Sequence, residues 1–195
     1  MNQYILLAIY WIGYFAIHSL LATAFAKRQL SFIEPYYRLF YNVVSLVGLL
    51  FLLFYTAIIT PEWLFARNGI SKFFGLMLAT YGILVLKASF RVYSLKDFMG
   101  TAQLKEDYKE ESFVKGGILE YVRHPLYLGT LLIVVGFFIF SPSVGNLIVM
   151  LITIAYLTIG IQLEERKLIK FYGESYKTYK ENVPMIFPNS FRIFH

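Results

Sequence analysis

Between Leu126 and Leu163 the chain runs without a charged residue, interrupted only by Ser141-Pro142-Ser143-Val144-Gly145. The run is too long for one membrane helix and carries a turn signal in its middle, so it reads as two helices folded back about residue 143. That fold-back gives the flanks their meaning. Arg123-His124-Pro125-Leu126-Tyr127-Leu128-Gly129 opens the run and Glu164-Glu165-Arg166 closes it, so a hairpin returns Arg123 and His124 to the level of Leu163 and Glu164. Two polar clusters far apart in sequence then meet at one membrane surface. Ionisable groups at a bilayer edge are costly enough to mark a functional site by default.

Three more apolar stretches, Tyr4 to Ala26, Tyr41 to Thr60 and Phe73 to Phe90, reach or approach the ~20 residues that cross a ~30 Å hydrocarbon core. The expectation is an all-α integral membrane protein of about five transmembrane helices, the last two a tight helical hairpin. A hydrophobic share of 58% against 15% charged residues excludes an ordinary soluble domain. The half-hairpin from Leu126 to Phe140 spans only ~22 Å at 1.5 Å per residue. A shallow or tilted hairpin would open inside the headgroup layer, where lipid-derived and water-soluble substrates both arrive. The chain reads as one membrane domain over 1–195: three helices in 1–92, a cytoplasmic loop in 93–125, the hairpin in 126–163 and a cytoplasmic tail in 164–195.

Lys and Arg placement sets the expected orientation. Arg67 and Lys72 flank the second loop, whereas the other sixteen of the 18 basic residues lie at or beyond the opposite helix ends. The N-terminus is therefore expected outside, and the C-terminus and both charged clusters in the cytoplasm. Ala22-Thr23-Ala24 and Ala24-Phe25-Ala26 look like signal-peptidase sites, but the first residues carry no basic region and Lys27-Arg28 follows directly, which opposes cleavage and export. With no cysteine, disulfides, thiolate metal sites and a catalytic thiol are excluded. The net charge of +6 is spread along membrane-proximal segments, which fits anionic lipid headgroups as partners and not nucleic acid.

The longest polar stretch, Arg91 to Glu120, mixes both charge signs and ends in Lys115-Gly116-Gly117, close enough to Arg123 to serve as a lid or wall, or as a plain solvated connector. Beyond Glu165 the last helix is expected to run to Tyr172, with Gly173 as its C-terminal cap. A short amphipathic segment follows, Tyr176, Tyr179 and Val183 on one face against Lys177 and Lys180, and Pro184 and Pro188 stop it. Its aromatic face is expected in the lipid headgroups.

Pro125 suits the first position of a helix, which puts His124 at the helix mouth, where anions and a neutral imidazole are favoured. Tyr127 and Leu128 are expected to project into the hairpin opening, and Gly129 leaves room for a partner helix or a ligand. Read as structure alone, Arg123 snorkels, His124 caps and Pro125 starts the helix. Glu164 and Glu165 stand ~100° apart around their helix, so one can pair with Arg123 while the other faces the pocket. A carboxylate there can stabilise a cation, bind hydroxyls or take a proton. His18, some 12 Å (~) inside the first helix, is either a helix-to-helix hydrogen bonder or a substrate contact. Arg38, Tyr41, Asn42 and Ser45 start the second helix, and Asn42 and Ser45 share a face. No phosphate loop, dinucleotide fingerprint or HExxH is present, and three histidines, one of them terminal, make a structural zinc site a poor fit.

The Arg-His-Pro-x-Tyr-x-Gly pattern, the hairpin, Glu164-Glu165 and the tail ending in Val183-Pro184-Met185-Ile186-Phe187-Pro188 resemble the isoprenylcysteine carboxyl methyltransferase and phospholipid methyltransferase superfamily. Gly160-Ile161-Gln162-Leu163-Glu164-Glu165-Arg166, with His18-Ser19 and Arg38-Leu39-Phe40-Tyr41-Asn42, is most similar to the methanethiol S-methyltransferase and NnrU-like branch. The resemblance implies a membrane enzyme that binds S-adenosylmethionine on the cytoplasmic side. By the same resemblance His124, Tyr127, Gly129, Glu164 and Glu165 line the cofactor site, with Tyr121 and Gly117 closing it. Arg123, His124 and Glu165 carry catalysis, while His18, Asn42 and Arg38 belong to acceptor choice. The acceptor implied is a small or lipophilic thiol, ahead of a carboxylate or an amine. A non-catalytic accessory or sensor protein of the same fold, and an NADPH-dependent sterol-reductase-like enzyme with a similar Arg-His-Pro and tail pattern, are the alternatives.

Overall fold

The computed structural model describes residues 2–105 and 116–188, and throughout these residues the regular structure is helical. In chain order the helices are α1 Gln3–Leu21, α2 Ala24–Gln29, α3 Tyr37–Ile58, α4 Gly69–Ser89, α5 Leu95–Met99, α6 Pro125–Phe140, α7 Val144–Tyr172 and α8 Glu174–Asn182. Four of them, α1, α3, α4 and α7, are long and apolar enough to cross a membrane; α6 is apolar but shorter. The sequence-based count of about five thus resolves into four full-length candidates and one helix of 16 residues, about 24 Å long. At 29 residues α7 extends about 44 Å, so it outruns a ~30 Å core and carries its charged end beyond it. The segment proposed as a lid falls partly on 106–115, which lies outside the described residues.

The helix boundaries follow from local chemistry. α1 stops at Leu21, short of the expected Ala26, because Thr23 takes an extended backbone and starts α2: its Oγ1 accepts from Ala26 N at 3.2 Å and donates to Leu20 O at 2.6 Å. α4 begins at Gly69, four residues before the expected Phe73, because Asn68 and Ser71 form a reciprocal capping box. Pro125 does take the first position of α6. α7 ends at Tyr172, as expected, and Gly173 turns the chain with φ 54°, a conformation that favours glycine.

The described chain forms two compact units. One comprises 2–64, 94–105 and 143–152. Leu7 and Trp11 of α1 meet Leu52 of α3 there, with Val149 and Ile152 of α7 packed beside them. Trp11 Nε1 donates to Thr56 Oγ1 at 3.2 Å, which satisfies the indole inside an apolar surround.

The other unit comprises 65–93, 116–142 and 153–188. Its α4 and α6 touch backbone to backbone. A Cβ at Gly75 would lie 2.6 Å from Gly136 O, one at Gly136 2.6 Å from Ala79 N, and one at Gly82 2.7 Å from Gly129 O. Without a hydrophobic drive between helices in lipid, such close van der Waals contact is what holds them together. Beside this seam Val85, Ile118, Val122 and Leu128 form a buried cluster that includes the turn leading into Arg123.

Candidate active site

Arg123 and Glu165 meet as the fold-back required, and both are buried, at 8% and 4% exposure. Arg123 Nε donates to Glu165 Oε1 at 2.9 Å, and Nη2 approaches the same oxygen at 2.7 Å. His124 Nε2 reaches Oε1 at 3.2 Å, and Lys180 Nζ takes Oε2 at 2.6 Å. One carboxylate thus serves four donor atoms on three residues. Oε1 takes three of these donor atoms and Oε2 the fourth, so both oxygens of the buried carboxylate are engaged. Buried ions persist only when paired and hydrogen-bonded in this way.

The remaining Arg123 donors fasten the C-terminal tail. Nη1 donates to Lys180 O at 2.8 Å and to Val183 O, while the main chain continues the contact through Arg123 N to Pro184 O at 2.9 Å and His124 N to Met185 O at 3.1 Å. α8 folds against its own unit. Tyr176 is 1% exposed, and the Tyr179 hydroxyl donates to Leu119 O at 2.6 Å. The aromatic face expected in the headgroups is therefore turned into the protein, because the Gly173 turn swings it onto the Arg123 cluster. Burial pushes the Tyr179 phenol up to about 12, so at neutral pH it stays a donor.

Glu164 is the other kind of carboxylate. Its side chain is 44% exposed, and Oε2 lies 3.8 Å from His124 Nδ1, beyond hydrogen-bond range. Burial first, and then the Glu164 charge, push the nearby Tyr93 phenol up, so Tyr93 is a neutral neighbour. The Tyr127 ring stands edge-on to His124, centroids 5.5 Å apart. From Tyr127 a narrow cleft of about 40 Å3 runs between α6 and α7, lined also by Leu131, Ile154, Leu157, Thr158, Ile161 and, from the tail, Ile186.

The expected site residues divide into two groups. Arg123, His124, Tyr127, Glu164 and Glu165 come together in one unit. Leu128 and Gly129 do not face the cleft. Leu128 is buried in the Val85 cluster, and a Cβ on Gly129 would sit 2.7 Å from Leu86 of α4, so the partner-helix reading of this glycine holds. Successive helical residues diverge by about 100°, so Tyr127 takes the α7 side and its successors the α4 side. Tyr121 packs against the same cluster, and Gly117, at φ 56°, would press a Cβ to 2.8 Å from Val92.

His18, Asn42 and Arg38 belong to the other unit. His18 bonds across helices, Nδ1 to Ser45 Oγ and Nε2 to the Tyr41 hydroxyl, both at 2.9 Å. Asn42 Nδ2 donates to Phe98 O at 2.7 Å, and Arg38 is exposed beside Gly100. Sequence reasoning missed Lys180, Tyr93 and Ile186 as parts of the cluster. Lys180 was visible only as the polar face of an amphipathic segment, and no spacing rule ties it to Glu165.

Four helices long and apolar enough to cross a membrane, with a buried arginine-carboxylate pair whose neighbour His124 touches the cleft residue Tyr127, define the class. Residues 70–175 match the family model described as phospholipid methyltransferase, and the chain belongs to that family. A protein named methanethiol S-methyltransferase 2 from Bradyrhizobium diazoefficiens is 31% identical over 98% of this chain and 76% of its own length. Another named methanethiol S-methyltransferase, from Crocosphaera subtropica, is 33% identical over 54% of this chain and 42% of its own length. The protein-S-isoprenylcysteine O-methyltransferase of Schizosaccharomyces pombe is 31% identical over 53% and 44%. The chain thus spans less than half the length of some of the curated relatives it matches. No solved structure matches it.

Proposed function

We propose that the protein is a membrane methyltransferase that uses S-adenosylmethionine to methylate a small or lipophilic thiol at the cytoplasmic mouth of the α6–α7 cleft. The observation that carries this reading is the unequal use of the two carboxylates. Glu165 is buried and paired with Arg123, His124 and Lys180, which leaves Glu164 as the carboxylate of the cluster open to solvent and to a ligand.

The residues fit a cationic methyl donor. A half-exposed carboxylate and an aromatic ring, Glu164 and Tyr127, are the neighbours a sulfonium requires. S-adenosylmethionine, when bound, supplies an electrophilic methyl group on that sulfonium. Tyr127 joins the charged cluster to the apolar wall, so it aligns an acceptor that lies in the cleft. Arg123 and Glu165 hold His124 and the tail in place around it. The cleft is narrow and largely apolar, which suits a small or slender acceptor.

Two kinds of support favour a thiol. The cleft offers two hydroxyl side chains, Tyr127 and Thr158, and no cation to fix an acceptor carboxylate. The relatives that align over the largest share of the chain are named for methanethiol. Protein purified in lipid nanodiscs and given S-adenosylmethionine with a panel of acceptors tests the reading. Transfer to methanethiol or a longer alkanethiol is expected. Transfer confined to a prenylcysteine carboxylate or to phosphatidylethanolamine would overturn the acceptor class, and transfer to none would overturn the activity.

A further inference from the structure

We infer that His124, through Nδ1, takes the proton from the acceptor thiol, and that Glu165 serves this step only by fixing the imidazole; the inference rests on the thiol methyltransferase reading. Removal of a thiol proton needs an acceptor atom within reach of the sulfur. The obvious candidate, Glu165, is a poor base: it is buried and ion-paired on both oxygens, Oε1 with Arg123 and His124 and Oε2 with Lys180, and these cations favour its ionised form over a protonated one.

Those bonds instead define the state of His124. A carboxylate oxygen only accepts, so the 3.2 Å contact makes Nε2 the donor, and a neutral imidazole must then carry its lone pair on Nδ1. Nδ1 makes no hydrogen bond among the described residues; its nearest charged neighbour is Glu164 Oε2 at 3.8 Å. A carboxylate that orients one imidazole nitrogen so that the other can act as base is a recurring arrangement. Here Arg123 and Lys180 neutralise the orienting carboxylate, so Glu165 holds the tautomer without itself drawing the proton.

The imidazole stands one ring contact away from the apolar cleft. His124 abuts Tyr127, the residue that begins the apolar cleft, and an alkyl group lying against Leu131, Ile154 and Ile161 would present its sulfur at the polar end. In the step, the acceptor S–H proton passes to Nδ1 while the sulfur lone pair forms the new S–C bond, and the methyl–sulfonium bond of the donor breaks with its electron pair leaving on the donor sulfur. The imidazolium so formed lies between two carboxylates, Glu165 at 3.2 Å and Glu164 at 3.8 Å. Glu164, being half exposed, then relays the proton to water. The groups facing His124 are thus Glu164, Glu165, Arg123, Lys180 through Glu165, and the neutral Tyr127.

Two measurements test the assignment. The chain has three histidines, so 15N spectra of histidine-labelled protein, assigned by single substitution of each, report the ring directly. The Nε2–H tautomer with bare Nδ1 is expected for His124, and the Nδ1–H tautomer would overturn the inference. At saturating S-adenosylmethionine, His124→Gln should slow methylation of an alkanethiol by roughly 100-fold or more, the usual scale of general-base catalysis. An acidic aryl thiol, already ionised at neutral pH, should lose far less. Equal losses for both thiols would make His124 a positioning residue and overturn the inference while leaving the methyltransferase reading intact. Wild-type protein that binds no S-adenosylhomocysteine and methylates no thiol would instead defeat the reading, and the inference with it.

Discussion

Glu165 shows how one side chain acts at a distance from any chemistry. Its two oxygens tie the residues that lead into α6, Arg123 and His124, to Lys180 of α8. Breaking a buried ion pair by removing one partner leaves an uncompensated charge, at a cost of about 3–5 kcal/mol. Glu165→Gln is therefore expected to lower the melting temperature in detergent sharply and to loosen the C-terminal tail. Lys180→Met removes the partner whose side chain is 42% exposed, and half-exposed pairs contribute less than about 1 kcal/mol. Thermal melts of both variants check the contrast; equal losses would contradict the burial argument. The sequence made Arg123, His124 and the two glutamates legible, because charge at an apolar boundary stands out. It could not say which glutamate would be buried and paired, since that depends on Lys180, placed by a turn at Gly173 that no periodicity encodes.

Among the elements, the hairpin of α6 and α7 was readable from its unbroken apolar run and its Ser-Pro-Ser turn. The seam between α4 and α6 was not. Gly75, Ala79, Gly82, Gly129 and Gly136 look like ordinary small residues in apolar helices, and only paired backbones reveal that they face one another. This seam holds α6, and with it Arg123 and His124, against the body of its unit. Gly136→Leu would force a side chain into Ala79 N and Gly75 O, which lie 2.6 and 2.7 Å from the Cβ position. Overpacking of this kind costs about 1–3 kcal/mol, and here the obstacle is backbone that cannot rotate away. Lower thermal stability, together with weaker S-adenosylhomocysteine binding, is expected. Unchanged stability in a melt would show that the helices are not held as described.

For the whole molecule, the cytoplasmic site proposed above requires the basic helix ends to face the cytosol and Arg67 and Lys72 to face outside. The lack of any cysteine makes this checkable with single introduced thiols. In sealed cells, Arg67→Cys should react with a membrane-impermeant maleimide, and Lys177→Cys should react only after permeabilisation. The reverse pattern would invert the topology and put the charged cluster on the wrong side for a cytosolic methyl donor. Of the residues expected to choose the acceptor, His18 and Asn42 are engaged in hydrogen bonds within the α1–α3–α5 unit, to Ser45 and Tyr41 and to Phe98 O. A polar residue inside a membrane helix reads as functional from sequence, yet satisfied helix-to-helix bonds of this kind are how lipid-embedded bundles associate.

In the proposed reading Glu164, half exposed beside the buried and ion-paired Glu165, receives a cationic methyl donor. Calorimetric titration of S-adenosylmethionine into the nanodisc-embedded protein tests it most directly, with S-adenosylhomocysteine, which lacks the sulfonium charge, as the comparison. Saturable binding of both is expected, with Glu164→Gln weakening the charged ligand by about tenfold, or ~1.4 kcal/mol, and the uncharged one less. Absence of binding, or equal affinities of wild type and Glu164→Gln for the sulfonium, would contradict the account.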